Sequence, residues 1–223
     1  MIILQIVTGA EAVNSSDSAL SVFELAMKGG FMMVPILVLW VVGIYIFFER
    51  LFALKKAAES PDHFMARVKE QVMKGDVNGA RMLCSQNPTP VARMIEKGIA
   101  RIGSPLKNIE TSIENVGKIE IFKLEKNLPL MATIAGAAPM LGFLGTVIGM
   151  VKAFISISQE EGAISPKLLS EGIYTAMITT VAGLIVGVIS YLAYNYLVTR
   201  VQKIIHAMEY TSIDFIDLLQ EPK

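Results

Sequence analysis

Three stretches of the chain contain no Asp, Glu, Lys, Arg or His. They are Gly29 to Phe48 (GGFMMVPILVLWVVGIYIFF), Asn127 to Val151 (NLPLMATIAGAAPMLGFLGTVIGMV) and Gly172 to Thr199 (GIYTAMITTVAGLIVGVISYLAYNYLVT). An α-helix needs about 20 apolar residues to cross a hydrocarbon core, so each predicts a transmembrane helix. Trp40, Tyr45, Tyr191, Tyr194 and Tyr196 are the aromatic residues noted in the spans, and the last three lie towards one end of the third span, as interfacial anchors would. The segment between the first two spans reads as helix throughout, broken at Ser60-Pro61, Gly75-Asp76, Asn87-Pro88-Thr89-Pro90 and Gly103-Ser104-Pro105. Asp76 and Ser104 stand as N-caps, the latter with Pro105 at the first helical position. Glu70 with Lys74 and Glu114 with Lys118 are i,i+4 pairs of a solvated face. With no breaker assigned between Pro105 and Asn127, that helix is expected to continue into the second span as one very long rod.

The expected fold is therefore all-α and polytopic: an arm over 1–28, transmembrane segments at 29–49, 127–156 and 170–199, a helical loop over 50–126, a short hairpin over 157–169 and a helical tail over 200–223. Orientation follows from the basic residues. The loop holds fourteen Lys and Arg, including Arg50, Lys55 and Lys56 against the first span; the arm holds only Lys28, the stretch from Lys152 at the end of the second span through the hairpin holds only Lys152 and Lys167, and the tail holds Arg200, Lys203 and Lys223. The positive-inside bias puts loop and tail in the cytoplasm, arm and hairpin outside. The opening MIILQIVTGAEA has no basic n-region, which favours an extramembrane arm over a cleaved leader.

Composition adds exclusions. At 53% hydrophobic and 18% charged residues the chain is too apolar for an ordinary soluble domain, and its zero net charge carries no nucleic-acid footprint. Cys84, the single cysteine, excludes an internal disulfide and a Cys-based metal cluster, and reads as buried filler. His63 and His206 read as surface residues. No phosphate loop, metal spacing or nucleophile arrangement is present, so no catalytic residue, metal or cofactor is assigned.

Helices associate in lipid where small residues let backbones approach. In the second span Ala132, Ala135, Pro139, Gly142, Thr146, Gly149, Ala153 and Ser156 alternate by three and four, forming one expected face. The third span carries Ala176, Thr180, Gly183, Gly187 and Ser190 at the same spacing, while the first span is bulky and is expected to face lipid. Such stripes suit tight packing within one subunit; Thr146 and Thr180 also suit a weakly polar surface lining a space between subunits. Pro139 removes one backbone hydrogen bond mid-span and permits a hinge. Glu49 and Arg50 read as anchors at the cytoplasmic edge. A proton path needs a titratable group in the membrane, and the three stretches hold no Asp, Glu, Lys, Arg or His between their ends, with only Glu49, Arg50, Lys152 and Glu171 near the edges. Either the protein conducts no protons and is a structural scaffold, or a partner brings the acid. A secondary transporter is disfavoured, since three helices without an inverted repeat or a broken helix offer no midplane site.

The segments IAGAAPMLGFLGTVIGMVKAF and EGIYTAMITTVAGLIVGVISYLAYN closely resemble the two signature helices of the MotA/TolQ/ExbB proton-channel family, in its three-span ExbB/TolQ branch. The resemblance runs over about 29–205 and is strongest over 128–198. It implies a homopentameric ring in the inner membrane of a Gram-negative bacterium, with an ExbD-like partner dimer in the pore supplying the proton-carrying aspartate. It further implies that the ring uses the proton motive force to energise TonB-dependent outer-membrane transport through a TonB-like protein, with TolQ-like envelope maintenance or a motility stator as alternatives. Thr146 and Thr180 fall on the family's pore threonines and Pro139 on its second-span proline. Thr175 stands where some ExbB proteins carry a glutamate, so the resemblance offers this ring no carboxylate of its own.

Overall fold

The computed structural model describes residues 29–58, 61–159 and 166–220, and among them there is no strand. The helices are α1 (Met33–Ala57), α2 (Pro61–Met73), α3 (Val77–Gln86), α4 (Pro90–Ile99), α5 (Leu106–Leu124), α6 (Leu128–Gln159) and α7 (Pro166–Gln220). The expected arm over 1–28 lies outside the described residues, as does the hairpin's 160–165. Three helical stretches, Met33–Ala57, Leu106–Gln159 and Gly172–Gln220, contain segments long and apolar enough to cross a membrane. At 1.5 Å per residue α7 is about 80 Å long, so a single helix carries both the third span and the tail beyond it.

The loop helices begin and end where local chemistry dictates. Asp76 accepts a hydrogen bond from the Gly79 N–H at 2.8 Å and caps α3. Thr89 accepts from the Ala92 N–H at 3.3 Å and caps α4, with Pro90 at the first helical position. Ser104 does not cap α5: the cap position falls one residue later, on Pro105, whose side chain has nothing to accept a bond with. The long rod expected from Pro105 into the second span is also corrected. α5 ends at Leu124, Glu125–Asn127 form a turn with Asn127 at φ 66, and α6 starts afresh at Leu128. The cause is Pro129, which has no N–H for the Glu125 carbonyl and whose ring would strike it in an unbroken helix; Asn tolerates the left-handed turn that results.

The chain divides into two compact units, one of Met1–Leu37 and Ala138–Ile185, the other of Val38–Ala137 and Val186–Lys223. The second holds the larger apolar core. Val68, Cys84, Ile95, Ile99, Ile113, Leu197, Met208 and Phe215 are each at most 2% exposed there. Gly98 permits a close approach between helices, because a Cβ would lie 2.7 Å from Ile113 and 2.8 Å from Phe215, which packs α4 directly against α5 and α7. Glu120, 5% exposed, is the one buried carboxylate described in this unit; Arg93 meets it at 2.8 Å and Lys123 at 2.6 Å. Along α1 the side chains of Val38, Trp40, Val41, Ile44, Tyr45 and Phe48 are exposed. An apolar row of that extent suits lipid or another protein, not water.

Candidate functional site

The first unit is built on the contact between the halves of α6 and α7 that belong to it. Added Cβ atoms measure how close the backbones come. One on Gly183 would lie 2.5 Å from the Ala138 carbonyl oxygen and 2.9 Å from Gly142 Cα; one on Gly142 would lie 2.8 Å from the Thr179 carbonyl oxygen; one on Gly149 would lie 2.8 Å from Ala176 Cβ. Further along, a Cβ on Gly172 would lie 2.5 Å from Ala153 Cβ. Hydroxyls join the two backbones. The Thr180 hydroxyl donates to the Gly142 carbonyl at 3.1 Å, and the Thr179 hydroxyl reaches the same carbonyl at 3.3 Å and its own-helix Ala176 carbonyl at 2.7 Å. Thr146 donates to Phe143, one turn back on α6, at 2.6 Å.

These distances divide the expected second-span face. Gly142, Gly149 and Ala153 are buried in the contact, with Ala138 and Gly145 completing a run spaced four, three, four and four. Ala135, Pro139 and Thr146 are only half-buried, and Ser156 is exposed. The single continuous face is thus corrected: two rows share three residues, and the row through Ala138 and Gly145 is the one that packs. Pro139 lies inside α6 without ending it. On α7, Ala176 and Gly183 are in the contact, Thr180 stands half-buried at its margin, and Gly187 and Ser190 are buried within the second unit. Thr179, 1% exposed, was not among the expected residues, although it lies three after Ala176 and four before Gly183.

Each of these hydroxyl groups spends its proton on a carbonyl and keeps acceptor lone pairs. At the half-buried Thr146 and Thr180 those lone pairs can receive a hydrogen bond from a protonated acid. They offer nothing to a carboxylate, which is itself only an acceptor.

Glu49 and Arg50, in the second unit, do more than mark an edge. Arg50 is 6% exposed. Its guanidinium holds Glu49 through two bonds of 2.7 and 2.5 Å, and a third nitrogen donates to the Lys123 carbonyl at 3.1 Å. That carbonyl belongs to the last turn of α5, which has no helical partner because the chain turns at Glu125–Asn127. Asn127 in turn donates to Glu49 at 3.3 Å. The pair therefore ties the end of α1 to the break between α5 and α6.

Comparison with known proteins decides the family. The family model of the MotA/TolQ/ExbB proton channel family matches residues 86–210, more than half of the chain. The chain belongs to this family. The matched region takes in Glu120, the α6–α7 contact and all of the threonines above, but not Glu49 or Arg50. Similar curated proteins carry related names. A putative biopolymer transport protein ExbB homolog of Methanothermobacter thermautotrophicus is 30% identical over 191 residues, 85% of this chain and 67% of that protein. Biopolymer transport protein ExbB of Aquifex aeolicus is 39% identical over 95 residues, 42% of this chain and 64% of that protein. The Tol-Pal system protein TolQ of Haemophilus influenzae is 37% identical over 98 residues, 44% of this chain and 41% of that protein. As a MotA/TolQ/ExbB family member with three apolar helices, the chain is a multi-pass inner-membrane protein and a channel-type subunit of biopolymer transport.

Proposed function

We propose that the chain is the ring subunit of a proton-driven inner-membrane motor of the ExbB kind, five copies enclosing a pore in which an ExbD-like dimer places its acidic side chain. A TonB-like protein would carry the resulting force to an outer-membrane transporter. Loop and tail are cytoplasmic in this reading, and the N-terminal arm periplasmic. One observation carries it: three long stretches with no Asp, Glu, Lys, Arg or His, in which Thr146 and Thr180 are half-buried hydroxyls whose protons are already committed to carbonyls.

Such hydroxyls favour the neutral form of a visiting carboxylic acid, because only that form can donate to them. The acid is then taken up protonated on the outer side and must turn towards the cytoplasm, or the partner must turn within the ring, before it ionises. Each elementary charge crossing 100 mV releases about 2.3 kcal/mol, so a few protons supply a mechanical step. Pro139, Ala135 and the packed Gly142, Gly149, Ala176, Gly183 and Gly187 are assigned to holding the ring wall. Replacing Thr146 and Thr180 together by Val, with assembly monitored, should abolish proton-driven uptake; normal uptake by an assembled double variant removes these threonines from the mechanism. The similarity to TolQ favours one alternative, envelope maintenance with a TolR-like partner, which co-purification distinguishes.

A further inference from the structure

The second unit contains two cavities that share part of their lining. One, of about 380 Å³, is a trough lined by Trp40, Ile44, Phe47, Met131, Ile189 and Ala193. The other, of about 610 Å³, has a floor of Leu54, Ile204 and Ala207 and a rim of Lys55, Arg200 and Lys203. Leu51 and Tyr196 line both. Tyr196 is the hinge between apolar and charged halves: its ring lies 6.5 Å from Phe47, and its hydroxyl oxygen accepts from Arg200 at 2.9 Å, with that guanidinium 5.2 Å from the ring centre. Among the described residues none of Lys55, Arg200 and Lys203 meets a carboxylate within salt-bridge distance.

We infer that this groove is a binding site for one anionic phospholipid, with the phosphate at Lys55, Arg200 and Lys203 and an acyl chain along the trough. The order of chemistry along the groove is the order of depth in a leaflet. The trough residues belong to uncharged spans, the tyrosine stands where interfacial aromatics stand, and the cations lie just beyond the spans. A soluble anion would use the rim but leave the trough empty, whereas a zwitterionic lipid would fill the trough but bring an ammonium to three cations. Basic pockets between membrane helices recognise anionic headgroups on these grounds. The site needs only that α1 and α7 cross a bilayer, and is independent of what the ring drives.

The test is lipid titration of the purified, delipidated full-length oligomer, read by native mass spectrometry and by thermal melting. Dioleoylphosphatidylglycerol should bind at about one per subunit and at least tenfold tighter than dioleoylphosphatidylcholine. Arg200→Gln with Lys203→Gln should remove most of that preference while leaving phosphatidylcholine binding and oligomer mass unchanged; both side chains are exposed, so folding is preserved. Ala193→Phe, which fills the trough, should weaken both lipids. Equal affinity for the two lipids, an undiminished preference in the double variant, competition by glycerol phosphate as strong as by the whole lipid, or no retained lipid because protein fills the groove would each overturn the assignment.

Discussion

Gly183→Ala is the sharpest perturbation of the α6–α7 contact. The new Cβ would stand 2.5 Å from the Ala138 carbonyl oxygen and 2.9 Å from Gly142 Cα, both backbone atoms that no rotamer change can move. Non-bonded carbon atoms settle at about 3.5–4 Å, so the helices must part locally by about 1 Å. That separation stretches the Thr180–Gly142 bond, now 3.1 Å, and the Thr179–Gly142 bond, now 3.3 Å, beyond hydrogen-bond range. Overpacking of this kind costs about 1–3 kcal/mol and interhelical bonds in membranes contribute about 0.6 kcal/mol each, which gives a loss of about 2–4 kcal/mol. Gly136→Ala is the control, because a Cβ there meets nothing within 4 Å; it should be neutral or slightly stabilising, alanine being the better helix former. Reversible unfolding in mixed micelles of sodium dodecyl sulfate and a mild detergent, followed by circular dichroism at fixed protein concentration, measures both. If Gly183→Ala unfolds at the same denaturant fraction as Gly136→Ala, close backbone approach does not hold this unit together.

Three further outcomes follow from the second unit. Arg50→Lys should destabilise by about 1.5–3 kcal/mol in the same assay, because an ammonium cannot grip Glu49 with two nitrogens and still reach the Lys123 carbonyl. Glu120→Ala should cost about 2 kcal/mol, below the usual penalty for breaking a buried pair, since Arg93 and Lys123 are half in solvent and rehydrate. Burial, assisted by the charge of Glu96, pushes the Cys84 thiol up to about 12. At pH 8.5 alkylation by iodoacetamide should therefore be about a thousandfold slower than for a free thiol of pKa about 8.5 and become fast only on unfolding. The sign of the linked stability is fixed as well: the unfolded chain loses this proton first, so the folded state weakens as pH rises from about 8.5 towards 12.

The spans were legible in the sequence because absence of charge over twenty residues has one physical meaning, and the loop helices because Pro, Gly, Asp76 and Thr89 punctuate them. The break at Glu125–Asn127 was hidden because Pro129 sits inside an apolar run, where it reads as part of a span rather than as a helix stop. The packing row was ambiguous for a geometric reason. Alternation by three and four lets a row through Pro139 and Thr146 and a row through Ala138 and Gly145 share Gly142, Gly149 and Ala153, and only backbone distances choose between them. The same degeneracy concealed Thr179 behind Thr180. Glu49 and Arg50 looked like edge residues because their partners, Lys123 and Asn127, are more than seventy positions away.

The central claim is that these spans carry no proton acceptor and acquire one from a partner. It is tested most directly by proton flux into pH-dye-loaded liposomes under an imposed potential, with the purified chain alone and with its co-purified partner. The chain alone should leave the vesicles as tight as protein-free ones, and flux should appear with the partner and vanish when the partner's intramembrane carboxylate is replaced by its amide. Proton flux through the chain alone, or flux with the partner that survives that replacement, would contradict the account.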